Sequence, residues 1–229
     1  MKAVGEITFD VFYLVFASLV AFFLIKNAKR GEGKMMGYAI LFLVAGDAFH
    51  LIPRILDYLL TVDLTGFLGF GKLVTSFTMT IFYVFLYWIY FQLYHEKEKH
   101  NVSLTFYFCM IVRFFMLVLP TNHWFSNEGT VFMGIIRNIP FVIMGGIVLL
   151  MYYKRRKRVE LLSNFWIYIL LSFLFYLPVV LFASTYPIVG MLMLPKTICY
   201  ILMINCFLRY AIYFCVPLDE NGIDYDKKK

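Results

Sequence analysis

Asp47, His50 and Arg54 lie in a long run of apolar residues at offsets of three and four, which sets all three on one face of a helix. A carboxylate one turn from an imidazole can do acid–base chemistry, and the same imidazole can relay a proton or serve as a hydrogen-bonded packing residue. An arginine one turn further offers a planar fork that grips carboxylate or phosphate with two bonds. Other apolar runs carry Arg113, Arg137 with Asn138, and Lys196, and Glu6 and Asp10 stand at the start of the first. Thr75, Ser76, Thr78 and Thr80 add a row of hydroxyls. The remaining histidines, His95, His100 and His123, fall between the apolar runs and leave His50 without deep partners, so no metal site is expected. Cys109, Cys199, Cys206 and Cys215 have no C-x-x-C spacing and read as small buried apolar residues. No Ser-His-Asp order, phosphate loop or nucleotide signature is present, and no cofactor is expected.

The elements that hold these side chains follow from composition. Of 229 residues, 62% are hydrophobic, 20% aromatic and only 15% charged, far from the balance of a water-soluble domain. A chain of this size cannot hide so much apolar surface in one soluble core. A spanning helix takes roughly 20 apolar residues, and seven runs qualify: 7–25, 35–60, 72–94, 102–120, 130–153, 162–184 and 188–215. Their continuous apolarity excludes a barrel, whose shorter strands alternate. The fold class is therefore all-α, a polytopic seven-helix transmembrane bundle. The first run is too long for a secretory signal and lacks a small-residue cleavage pattern, so it reads as a retained helix.

Charge in the connections sets the expected orientation. Lys26, Lys29, Arg30 and Lys34 follow the first run, the segment 95–100 follows the third, and Lys154 to Arg158 follow the fifth. Segments 61–71, 121–129 and 184–187 contain no Lys or Arg. The positive-inside rule then places the N-terminus outside and the C-terminus in the cytoplasm, in the cell membrane. One transmembrane domain, 1–217, is expected, followed by a short polar tail, 218–229, with no ordered structure of its own. The net charge of +7 is explained by these loops, which excludes nucleic acid as the natural partner. Anionic lipid or a soluble protein can dock on them instead.

In that orientation the ionisable groups of five helices fall in one slab, the outer half of the bundle. Four cations, Arg54, Arg113, Arg137 and Lys196, meet two deep carboxylates, Asp10 and Asp47. Pro53, Pro140, Pro178 and Pro195 also lie there and can widen a cavity. Charged side chains in spans mark functional paths, and surplus cations call for an anion. The expected function is binding of a small anionic or amphiphilic molecule in an outward-facing pocket, for transport or sensing. Arg54, Arg113, Arg137, Asn138 and Lys196 would hold the ligand with Asp10, Thr75 and Thr78, while Asp47 and His50 set protonation. Two alternatives stand beside it: an intramembrane lipid hydrolase using Asp47 and His50, and a structural subunit whose charges pair among themselves.

The stretch LVAGDAFHLIPR, Leu43 to Arg54, followed by GFLGF at 66–70, resembles the second-helix Gly-Asp motif of the lysoplasmalogenase family. Those polytopic enzymes are thought to hydrolyse a vinyl ether lipid with membrane-buried carboxylates. The resemblance implies that activity, with Asp47 as the acid. Thr and Ser stand in the next helix where the family carries a histidine, and its later Ser-Asp pair has no counterpart. The topology is also similar to that of the rhodopsins, with a lysine in the last helix. Leu192 occupies the position, four residues before Lys196, where retinal-binding microbial rhodopsins carry an Asp, so that likeness is one of topology.

Overall fold

In hydrocarbon a backbone can satisfy its amides only within its own segment, and every apolar run of this chain is helical. The structure is a computed structural model that describes residues 2–60, 64–125, 131–183 and 185–216. The expected tail, 218–229, lies outside the described residues. The seven long helices are α1 (Lys2–Asn27), α2 (Gly31–Leu60), α3 (Thr65–Tyr94), α4 (His100–Val118), α5 (Val131–Arg155), α6 (Phe165–Phe182) and α7 (Met193–Phe214). Short 3-10 turns at Pro120–Asn122, Glu160–Leu162 and Pro187–Leu192 precede α5, α6 and α7, and no strand occurs among the described residues. All seven helices are long and apolar enough to cross a membrane, the architecture of a multi-pass membrane protein. Their outward faces agree, with Phe12, Leu19, Phe108, Phe115 and Leu174 all largely exposed, a surface that only lipid would cover.

Two boundaries differ from expectation. The segment 61–71, read as a connection, is helical from Thr65 onward. Its glycines weaken a helix in isolation, but here they let α3 approach its neighbour. A Cβ on Gly71 would strike the backbone of Phe49 and His50, and one on Gly46 would overlap the Thr78 side chain. The last run does not form one long helix either. Residues 187–192 are a 3-10 turn, and α7 begins at Met193, which puts Pro195 and Lys196 in its first turn. Proline is favoured there because the first-turn amides lack helical partners anyway.

At 30 residues each, α2 and α3 extend about 45 Å, beyond the roughly 30 Å hydrocarbon core, so they tilt or protrude. The helices neighbour one another in chain order around the bundle, and α1 packs on α7 to close the ring. Helix α3 is the most enclosed, with 50% of its apolar window buried, and it touches α2, α4 and α5. At one end the Lys29 amide donates to the Cys215 carbonyl at 2.8 Å, and Arg155 pairs with Glu96. All the Lys- and Arg-rich connections gather there, so this is the basic end. Above it the core is aromatic: Tyr87 stacks on Phe106 at 4.2 Å, Tyr152 and Phe207 flank Phe165 at 4.8 Å, and Tyr83 meets Phe141 edge-on at 5.0 Å. The charged slab lies between that layer and the opposite end.

Candidate functional site

Helices α1 and α2 supply the first group. Arg54 reaches across from α2 and donates through Nη2 to Asp10 Oδ2 at 3.0 Å, with Glu6 Oε2 at 3.6 Å. Asp10 and Glu6 are one turn apart on α1, so a single guanidinium spans both. Deeper on the same two helices, the Tyr13 hydroxyl donates to Asp47 Oδ2 at 2.6 Å. His50, between them on α2, has a buried Nδ1 with no hydrogen-bond partner, and the charges of Lys72, Arg54 and Lys196 all act on it.

Helices α3 to α6 build the second group. Arg113 is 1% exposed, and among the described residues its guanidinium donates only to neutral oxygens. Nε donates to Thr80 Oγ1 at 2.8 Å, and Nη1 donates to the Arg137 carbonyl at 2.8 Å and Asn138 Oδ1 at 3.0 Å. The guanidinium carbon also lies 4.2 Å from the centre of the Phe141 ring, a favourable cation–π position. The Tyr176 hydroxyl donates to the same Asn138 Oδ1 at 2.8 Å, while Asn138 Nδ2 donates to the Gly134 carbonyl at 2.7 Å.

Lys196 joins the two groups from α7. Its ammonium lies 4.7 Å from the Tyr176 ring centre and 5.3 Å from that of Tyr200. It feels the charges of Asp47 and Arg113, yet it closes no ion pair and makes no hydrogen bond among the described residues. One polar chain thus runs from Asp47 past Lys196 and Tyr176 to Asn138 and Arg113.

The remaining expected residues are placed differently. Arg137 points away from that chain, donating to Asn122 Oδ1 at 2.8 Å and stacking 4.2 Å from the Trp124 ring centre. Asn122 in turn donates to the Met116 and Leu119 carbonyls at 2.8 and 2.9 Å, so Arg137 braces the α4–α5 connection. The Thr75 hydroxyl donates to the Gly46 carbonyl at 2.8 Å, and Thr78 to the Thr75 carbonyl at 3.2 Å. Both belong to the α2–α3 seam, and only Thr80 of that row reaches a charge. Pro195 lies inside the last span as expected, in the first turn of α7.

Sequence reasoning did not single out Tyr13 or Tyr176, the two phenols that organise Asp47 and Asn138. Tyr13 stands one turn after Asp10, and that spacing was its available signal. Three cavities stand out, of about 430, 510 and 320 Å³, and none is lined by Asp47, Arg113 or Lys196. Two lie at the basic end, and the third is an apolar cleft beside Phe49 and Phe70 on α2 and α3. No family model, no curated protein and no solved structure matches this chain.

Proposed function

We propose that the bundle binds a small anionic or amphiphilic molecule at Lys196 and Arg113, as a transporter or sensor of the cell membrane. The observation that carries this reading is the Lys196 ammonium, which lies within a membrane span over two tyrosine rings with no hydrogen-bond acceptor among the described residues. An ammonium has three N–H groups to satisfy, and leaving them unmet inside a bilayer is costly. Its place in the first turn of α7 adds the positive end of the helix dipole. Arg113 brings a second charge with no carboxylate on it among the described residues, and Asp47 offsets only one of the two. A singly charged carboxylate or phosphate ester balances the remainder. Arg54, neutralised by Asp10 and Glu6, and Arg137, engaged by Asn122 and Trp124, are supports of the bundle in this reading.

The orientation belongs to the same proposal. With the Lys- and Arg-rich end in the cytoplasm, the N-terminus is outside and Lys196 is reached from the outer face.

A hydrolase reading rests on His50, whose buried Nδ1 is unpartnered one turn from Asp47. One experiment separates the two. Native mass spectrometry of the protein in mild detergent should find a bound small anion or amphiphile that is lost in Lys196→Met while the bundle stays folded. A ligand retained in that variant removes Lys196 from the site. Cleavage of a vinyl ether lysolipid by the same preparation, lost in Asp47→Asn, would replace binding with hydrolysis.

A further inference from the structure

We propose that a groove at the basic end, distinct from the Lys196 site, holds one anionic phospholipid by its headgroup. The groove lies between the end of α3, the 95–99 connection and the end of α5, and encloses about 430 Å³, within the range of small-molecule sites. Its floor is Phe91, Ile147, Leu150 and Met151, and its rim carries Lys97, Lys99 and Lys154 beside the Glu96–Arg155 pair. Leu150 is 53% exposed, so the floor continues onto the surface that faces acyl chains.

The rim is positive because the connection sorts its own charges. The 95–99 segment alternates basic and acidic residues, and both acids already have partners of their own. Glu96 accepts from the Tyr90 hydroxyl at 3.0 Å and pairs with Arg155. Glu98 accepts from the Ser103 hydroxyl at 2.9 Å, which also meets the Tyr87 hydroxyl at 2.8 Å. His95 holds the left-handed turn that ends α3, with φ 50° and its amide donating to the Phe91 carbonyl at 3.0 Å. Glu96 is thus neutralised by Arg155, while Glu98, exposed, is held back towards α4 by Ser103. Lys97, Lys99 and Lys154 form no ion pair among the described residues, and all three are exposed.

Three free ammonium groups above an apolar floor open to lipid match a phosphate headgroup with acyl chains below it. Basic pockets between membrane helices bind anionic headgroups by this complementarity. A soluble acidic peptide would use the lysines but leave the floor unfilled, and a neutral lipid would fill the floor but leave the lysines unpaired.

The test uses the full chain in phosphatidylcholine nanodiscs containing a minority of phosphatidylserine, with retained lipids counted by native mass spectrometry. One phosphatidylserine should stay bound. Lys97→Ala/Lys99→Ala/Lys154→Ala should weaken its retention about a hundredfold, since each lysine near an anionic surface contributes on the order of 1 kcal/mol. Leu150→Trp, which fills the floor and leaves every charge in place, should also release it. Arg156→Ala/Lys157→Ala, on the adjoining surface, should leave it bound. Retention in the Leu150→Trp protein, or equal loss in the Arg156/Lys157 variant, would reduce the effect to general surface charge and overturn the site. Displacement of the lipid by inorganic phosphate alone would overturn it too, assigning the lysines to a free anion.

Discussion

At Arg113 each accepting oxygen keeps another partner when the guanidinium is taken away. The Thr80 hydroxyl donates to the Ser76 carbonyl at 2.8 Å, Asn138 Oδ1 still accepts from Tyr176, and the Arg137 carbonyl belongs to the α5 ladder. Removing the charge also removes its desolvation cost, which neutral acceptors offset only in part. Arg113→Met should therefore keep stability within about 1 kcal/mol. Asn138→Leu is the harsher change, because it strips an acceptor from a buried cation and strands the Tyr176 hydroxyl. It should cost about 3 kcal/mol. Thermal unfolding of both variants in one detergent tests the order, and a Tm lower for Arg113→Met than for Asn138→Leu would reverse this account. What sequence could reveal divides along the same line. Asp47, Arg113 and Lys196 were visible because a charge in an apolar run is improbable. Tyr13 and Tyr176 were not, because the chain has seventeen tyrosines and spacing alone does not separate these two from the rest.

Among the elements, the α2–α3 pair is drawn close by two glycines and a threonine, with the Phe42–Phe85 and Phe49–Phe70 ring contacts alongside. In lipid, helices gain nothing from apolarity alone, and close backbone approach is what associates them. A methyl group at Gly71 meets backbone on α2, which cannot rotate aside. Gly71→Ala should cost about 1–3 kcal/mol, the usual penalty of overpacking, and should loosen His50, which sits against it. Gly134→Ala is the control, since nothing lies within 4 Å of its added Cβ, and that change should leave the Tm unchanged or raise it. Equal Tm values for the two would show that the seam is open. The start of α3 was misread for this reason. Gly66, Gly69 and Gly71 look like a connection when judged by propensity, yet as a helix they let backbone approach closely, Gly71 against α2 and Gly66 and Gly69 against Trp124 and Phe125. The spans themselves were legible because twenty apolar residues in a row admit one solution in a bilayer.

The whole bundle closes where α1 meets α7, and Cys215 reports on that closure. Burial, with Glu32 nearby, pushes its thiol up to about 12, so almost none is thiolate at neutral pH. With Cys109, Cys199 and Cys206 replaced by Ala, Cys215 should resist maleimide in mild detergent and label rapidly once the protein is denatured. Labelling at the rate of a free thiol in the native state would mean that α7 is detached from the α1–α2 turn. The order of the helices around this ring was not legible in the sequence, because it depends on which apolar faces meet and all of them are alike in composition.

The positive charge on Arg113 and Lys196 also bears on what can cross the membrane. A sodium ion, potassium ion or proton moving along the bundle axis would have to pass two cations in a region of low dielectric, with one carboxylate to offset them. Fixed cations in a narrow polar path turn away their own sign, as arginines do in pores that exclude protons. Two fixed cations at this depth would oppose the passage of a third along the bundle axis.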